Sequence, residues 1–157
     1  MPKTSPLPAN PLALEEQVCF ALSVAARTVV AVYRPVLEPL GLTHPQYLVM
    51  LALWQHEPVS VRDLSGLLHL DPGTLSPLLK RLEACGLLRR ERDTADERAL
   101  AVTLTAKGRA LRAEAEHVPP AIVARLGMDL GELVALRESL TRVIHAAQDA
   151  LDVEGAG

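Results

Sequence analysis

The stretch that decides the fold runs from Ser60 to Leu104: SVRDLSGLLHLDPGTLSPLLKRLEACGLLRRERDTADERALAVTL. Ser60-Val61-Arg62-Asp63 is a capping box in its acidic form, a side-chain oxygen followed three residues later by a carboxylate. It opens a short helix with Val61, Leu64, Leu67 and Leu68 on one side. Asp71 is a second start, with Pro72 at the first helical position, where its missing N–H costs nothing. This second helix carries Leu75, Leu78, Leu79 and Leu82 and closes at Gly86. Pro77 inside it should remove a hydrogen bond and kink it. Ser76 as cap with Pro77 first is a rival start, and the sequence leaves both open. After Gly86 the period falls to two. Residues 87–92 and 98–104 are short runs, the second with Leu100, Val102 and Leu104 in alternation, and the polar turn 93–97 joins them. Two short helices followed by a two-stranded ribbon is the order of a winged helix-turn-helix, so the chain reads as mainly α with a small β-ribbon.

Working outward, Leu14, Val18, Leu22, Ala25, Val29, Val32 and Val36 recur at helical spacing, until Pro35 and Pro39 end the helix and Gly41 marks a turn. A helix from about His44 to His56 follows, with Tyr47, Met50, Leu51 and Trp54 as its apolar face. Beyond the ribbon, Thr105 caps a helix that should stop before Pro119-Pro120. Asp129 with Glu132 starts a last helix, in which Leu133, Leu136, Leu140, Val143, Ala147 and Leu151 form a seam close to a coiled-coil repeat. Such seams at both ends of a chain pack either against the central domain or against a second copy. A winged helix reading a two-fold operator needs two heads, which favours a homodimer. The expected organisation is a flexible arm over 1–12 and one domain over 13–157. Within it, 13–40 and 105–157 are dimerisation helices flanking a winged helix-turn-helix over 44–104.

The chain has 157 residues, 49% apolar and 22% charged, with a net charge of −3. No run reaches the roughly 18 uninterrupted apolar residues of a membrane span, so no membrane role is expected. Two cysteines, at 19 and 85, do not make a secreted disulfide framework and point to a reducing cytoplasm. The net charge argues weakly against nucleic acid, but its distribution argues the other way. Residues 80–98 hold six of the sixteen basic residues, five of them arginine, beside five acids. A solvated, ion-paired hairpin is the bland reading. Phosphate and groove contact is the sharper one, since arginine suits both. The expected partner is a pseudo-palindromic double-stranded DNA. It would be contacted by Asp71, Thr74, Ser76, Lys80 and Arg81 from the second helix and by Arg90 and Arg98 from the ribbon. Arg98 would reach a minor groove, steadied by Asp93 or Asp96. Phe20, Tyr33, Tyr47 and Trp54 all lie outside this region, which disfavours a stacking platform for single strands.

Cys19 sits beside the seam of the first helix, where most cysteines are inert small hydrophobes. Glu15 and Glu16 would disfavour a thiolate, and a helix beginning near Leu14 leaves Cys19 too far from its start for much dipole help. The five histidines show no metal-ligand spacing, and no hydrolase, metalloprotease or nucleotide-binding motif occurs. Neither a metal nor a cofactor is expected.

Several segments together resemble the organic hydroperoxide resistance regulators of the MarR family. They are Cys19-Phe20-Ala21-Leu22, Tyr33-Arg34-Pro35, Leu42-Thr43-His44-Pro45-Gln46-Tyr47, Leu70-Asp71-Pro72-Gly73-Thr74-Leu75 and Asp93-Thr94-Ala95-Asp96-Glu97-Arg98. The resemblance spans about residues 14–120. It implies a dimeric repressor whose Cys19 is oxidised to a sulfenic acid by organic hydroperoxides, after which DNA is released. It also implies that tyrosines of the other subunit hydrogen-bond the thiol, with Tyr33 matching one. On one straight helix Cys19 and Tyr33 lie about 21 Å apart, so they meet only across subunits or if the helix breaks. His44 stands where a second such tyrosine is usual, and could serve as a neutral or a charged imidazole. Ser23 replaces an aromatic residue, and Pro72 a serine that often opens the reading helix. Cys85 reads as packing, and no cysteine lies in 119–157. The expectation is therefore a one-cysteine sensor whose sulfenate is capped by a small thiol as a mixed disulfide, or is overoxidised. Two alternatives stand beside it: a MarR-type repressor released by a phenolic or aromatic ligand, and a thiol peroxidase using Cys19.

Overall fold

The computed structural model describes Pro6, residues 9–92 and residues 100–155. A 3-10 turn at Leu14–Glu16 leads into α1, Val18–Leu37. A second 3-10 turn, Glu38–Leu40, leads to α2, His44–His56. There follow β1 (Val59–Ser60), α3 (Val61–Leu68), α4 (Pro72–Ala84), β2 (Leu88–Arg92), β3 (Leu100–Leu104), α5 (Ala106–Ala115), α6 (Val118–Leu126) and α7 (Leu130–Gly155). The chain forms two compact units, Met1–Glu116 and His117–Gly157.

The starts follow the side chains. The Oγ1 of Thr43 accepts the Gln46 N–H while the Gln46 side chain accepts the Thr43 N–H, a reciprocal capping box that fixes the first turn of α2. The Ser60 hydroxyl accepts the Asp63 N–H at 3.0 Å and starts α3. Asp71, not Ser76, caps α4, so the first of the two starts left open is the one used. Pro77 lies inside α4 without ending it. One lost hydrogen bond near the helix start is outweighed by Leu75, Leu79 and Leu82, all fully buried. Each contributes about 1.5–3 kcal/mol by burial.

Four expectations need correction. The ribbon is a three-stranded antiparallel sheet of order β1-β3-β2, because Val59 pairs with Val102 and Ser60 with Ala101. A two-residue strand is too short to show a period. Pro35 does not end α1, which continues to Leu37. The cost falls on the last turn, where Val36 and Leu37 are buried. The single helix expected up to Pro119 is two. α5 stops at Ala115, and Pro119 and Pro120 occupy the first turn of α6, where no donor is needed. On α2 the buried face holds Gln46, Tyr47, Val49, Met50 and Leu53, whereas Leu51 is exposed.

The core of the first unit gathers Leu37, Val49, Met50, Leu53, Leu64, Leu75, Leu79, Leu82, Leu88, Val102 and Leu104. Polar bonds then tie the first turn of α5 to everything around it. The Thr105 hydroxyl donates to the Gly86 carbonyl at 2.6 Å and accepts the Gly108 N–H at 3.1 Å. Lys107 Nζ donates to the Cys85 carbonyl, Trp54 Nε1 to the Gly108 carbonyl, and Arg109 Nε to Glu57 Oε1 at 2.7 Å.

The terminal helices are bare. In α1 only Val36 and Leu37 are buried, and α7 buries no residue. Val18, Phe20, Leu136, Val143, Ile144 and Leu151 are exposed. By length and composition alone, Val18–Leu40 is apolar enough to cross a membrane, although no uninterrupted apolar run of that length exists. Arg27 and Arg34 break it up.

A Cβ on Gly108 would stand 2.0 Å from the Leu87 carbonyl oxygen, which is backbone and cannot yield. Gly108→Ala should therefore lower unfolding stability by about 2 kcal/mol or more. Gly66→Ala, inside α3 with nothing within 4 Å, should be neutral or stabilising by up to about 1 kcal/mol. Urea unfolding of the two variants checks the contrast.

Candidate DNA interface and thiol site

α4 presents two surfaces. Leu75, Leu79 and Leu82 face the core, while Thr74, Ser76, Lys80 and Arg81 are all exposed. Asp71, expected among the DNA contacts, has both carboxylate oxygens engaged. Oδ1 accepts the Thr74 N–H at 2.9 Å and Oδ2 accepts the Thr74 hydroxyl at 2.9 Å. The Thr74 hydroxyl, then its backbone N–H, holds the Asp71 carboxyl below the usual carboxylate range. Asp71 is thus an ionised cap that orients the residue beside it.

Arg90 is half-buried and held by Glu83 of α4. Its Nη2 lies 3.2 Å from Glu83 Oε1, and its backbone N–H donates to Glu83 Oε2 at 3.0 Å. Arg90 keeps Glu83 below the ordinary carboxylate range, first through the side-chain hydrogen bond and then the backbone one. Glu83 was not among the expected site residues. The contact crosses the Gly86 turn and has no helical or strand period. A glutamate three residues before the closing glycine and an arginine four after it are its only trace. Asp93, Asp96 and Arg98 lie outside the described residues. Arg89 and Glu91 pair at 3.8 Å and are exposed, worth at most about 1 kcal/mol.

At the other end of the first unit, Cys19 is exposed. α1 begins at Val18, with Gln17 as its cap, and not near Leu14. Cys19 is therefore in the first helical turn, where backbone N–H groups have no intrahelical acceptor. Ser23, one turn on, spends its hydroxyl on the Cys19 carbonyl at 2.8 Å. Cys85, expected as packing, is exposed at the C-cap of α4.

Tyr33 and His44 come together within one protomer. Their ring centroids are 4.8 Å apart, edge to face, and Tyr47 lies 6.0 Å from Tyr33. Burial raises the Tyr33 phenol and lowers the His44 imidazole, so His44 is held neutral and the charged alternative is disfavoured. Tyr47 is raised by burial and then by Tyr33. Beside the pair is a cleft of 480 Å³ lined by Val30, Arg34, Glu38, Gly41, Leu42, Thr43, His44 and Pro45. α1 is continuous from Val18 to Leu37, so Cys19 and Tyr33 of one chain stand about 21 Å apart along it. Among the described residues, no cluster of His, Cys, Asp and Glu could hold a metal.

The His44 environment has a sign. A histidine whose folded pKa lies below its unfolded value binds fewer protons when folded. Its contribution to stability is complete above the unfolded pKa and declines as the pH falls. The melting temperature should therefore drop between about pH 7 and about pH 5, and His44→Asn should flatten that slope. Thermal melts of the two proteins across this range make the comparison.

Residues 42–100 match the model of the MarR family. Over 150 residues the chain is 42% identical to the HTH-type transcriptional regulator TtmR of Methylorubrum extorquens (strain PA1), covering 94% of this chain and 77% of the relative. Over 135 residues it is 39% identical to the organic hydroperoxide resistance transcriptional regulator of Bacillus subtilis (strain 168), covering 84% and 92%. The structure of reduced AbfR bound to DNA superposes with a TM-score of 0.71 at 32% identity, over 85% of this chain and 94% of that one. With its winged helix, its exposed polar face on α4 and these relatives, the chain belongs to the MarR family of DNA-binding transcriptional regulators.

Proposed function

We propose that the chain is a cytoplasmic, homodimeric repressor that senses organic hydroperoxides through Cys19 and is not an enzyme. The observation that carries this reading is the unbroken α1. It holds an exposed thiol in its first turn and the Tyr33–His44 pair about 21 Å further along. Antiparallel pairing of two such helices about a two-fold axis would set each Cys19 beside the other subunit's Tyr33 and His44. The same pairing would cover the apolar side chains that α1 leaves exposed. The 39% identical regulator of organic hydroperoxide resistance supports the same reading.

The chemistry is one displacement. The Cys19 thiolate attacks the terminal oxygen of the hydroperoxide. The O–O bond breaks, an S–O bond forms, and the alkoxide leaves and takes a proton as alcohol. The product is a sulfenic acid. A small thiol can then add to sulfur and release water, giving a mixed disulfide. Cys85, the other cysteine in the chain, sits at the end of α4 and is not read as resolving it. A polar or bulky Cys19 in a packed dimer seam repacks the terminal helices. That moves the two α4 helices away from the roughly 34 Å spacing of one DNA turn. In the reduced dimer α4 lies in the major groove of a pseudo-palindromic site.

A second reading has one observation behind it, the 480 Å³ cleft beside Arg34 and His44. An aromatic carboxylate or phenol entering there would release DNA without oxidation.

Cys19→Ser should fold, dimerise and bind DNA, yet keep its DNA in organic hydroperoxide, because a hydroxyl cannot be oxidised in this way. Cys85→Ser should respond normally, and Tyr33→Phe should react more slowly. Gel shifts with each variant give the answer. Release from Cys19→Ser by hydroperoxide overturns the proposal, release by a phenolic acid alone favours the second reading, and repeated turnover with a thiol reductant favours a peroxidase.

A further inference from the structure

At the start of α4 the Asp71 carboxylate does more than cap the helix. One oxygen takes the Thr74 N–H and the other takes the Thr74 hydroxyl proton, both at 2.9 Å. A hydroxyl has one proton to give, so Thr74 has none left for a base. What this exposed residue still offers is its methyl group and its oxygen lone pairs. The two residues before it add no side-chain donor. Pro72 is an apolar ring, and Gly73 has no side chain; a Cβ there would stand 3.1 Å from Asp71 Oδ1. The solvent-facing first turn of α4 is therefore a small apolar patch next to a carboxylate whose oxygens are already occupied.

Major-groove edges differ in what they ask of such a patch. Guanine N7 and O6, adenine N7 and thymine O4 need a donor, which Thr74 lacks; adenine N6 and cytosine N4 are donors, for which it keeps only its oxygen lone pairs. The 5-methyl group of thymine needs an apolar neighbour, which the Thr74 methyl supplies. We propose that Thr74 is a specificity-determining residue that reads a thymine methyl by van der Waals contact, with Asp71 as the positioning residue that turns its hydroxyl away from the base. The inference rests on α4 being the helix that enters the groove.

The test begins with a duplex selected from a randomised pool by the reduced, full-length protein. Thymines are then replaced one at a time by deoxyuridine, which keeps the base pairing and removes the methyl. At one position in each half-site, wild-type affinity should fall about three- to tenfold, a loss smaller than that of a bidentate hydrogen-bonded pair. Thr74→Ser keeps the hydroxyl and the cap but has no methyl. It should bind the parent duplex as weakly as wild type binds the deoxyuridine duplex, and should lose nothing more on that substitution. Thr74→Val, which keeps a methyl, should remain sensitive. Indifference of wild type to deoxyuridine at every thymine overturns the proposal, as does an undiminished deoxyuridine effect in Thr74→Ser. Lys80→Ala and Arg81→Ala separate the two layers. If they weaken binding while deoxyuridine does nothing, only the methyl reading fails; if they change neither affinity nor its salt dependence, the placement of α4 fails with it.

Discussion

The close approach of the first turn of α5 to the turn at Gly86-Leu87 is the contact on which the arrangement of α4 and the sheet depends. Gly108 lies against the Leu87 carbonyl where no Cβ would fit, and Thr105 and Lys107 satisfy the carbonyls of Gly86 and Cys85. Those carbonyls belong to the end of α4 and the turn beyond it, which would otherwise be left to water. One short segment thus fixes where α4 ends and where β2 begins. Trp54 and Glu57 bring α2 to the same point: the indole donates to the Gly108 carbonyl, and the carboxylate takes both Arg109 and the Leu104 N–H. The Glu83–Arg90 pair closes the other side by tying β2 back to α4. Arg90 is then a strut that ties the sheet to α4.

Rigidity there contrasts with incompleteness at α1. A helix of 20 residues that buries two of them, and a helix of 26 residues that buries none, leave much apolar surface uncovered within one chain. At about 25 cal/mol per Å², that surface would drive the proposed association. It also places Cys19, in the first turn of α1, within the surface that association would cover. In the proposed dimer, oxidation at that point would act on packing, which is sensitive to volume and polarity.

Much of this was legible in the residues. The starts at Ser60, Asp71 and Thr105 stand in the structure, because a side-chain oxygen ahead of an apolar run has one local use. The alternation of Leu100, Val102 and Leu104 marked β3. What stayed hidden has a physical cause in each case. β1 is shorter than any period. Pro119 and Pro120 read as a stop but serve as a start, since proline suits both places. Cys19 looked remote from its helix start because the apolar spacing begins at Leu14, one 3-10 turn before the α-helix does. Glu83–Arg90, Trp54–Gly108 and the pairing of Tyr33 with His44 join residues whose separation carries no periodic trace. Of the candidate site, the polar positions of α4 and Asp71 as the start of that helix could be read from the chain, whereas the hold of Asp71 on the Thr74 hydroxyl and of Glu83 on Arg90 could not. Tyr47 was visible as core and as part of the resemblance, but its place beside Tyr33 was not.

The central claim is that a single thiol, Cys19, converts hydroperoxide into loss of DNA. The measurement that tests it most directly follows both events in one sample. Reduced protein on its DNA receives one equivalent of an organic hydroperoxide. Fluorescence anisotropy records release while quenched aliquots are digested, and mass spectrometry measures oxygen addition at each cysteine peptide. The account predicts that modification appears at Cys19, rises with the same time course as release, and leaves Cys85 unmodified until release is complete. Oxidation first at Cys85, or release that outruns modification of Cys19, would contradict it.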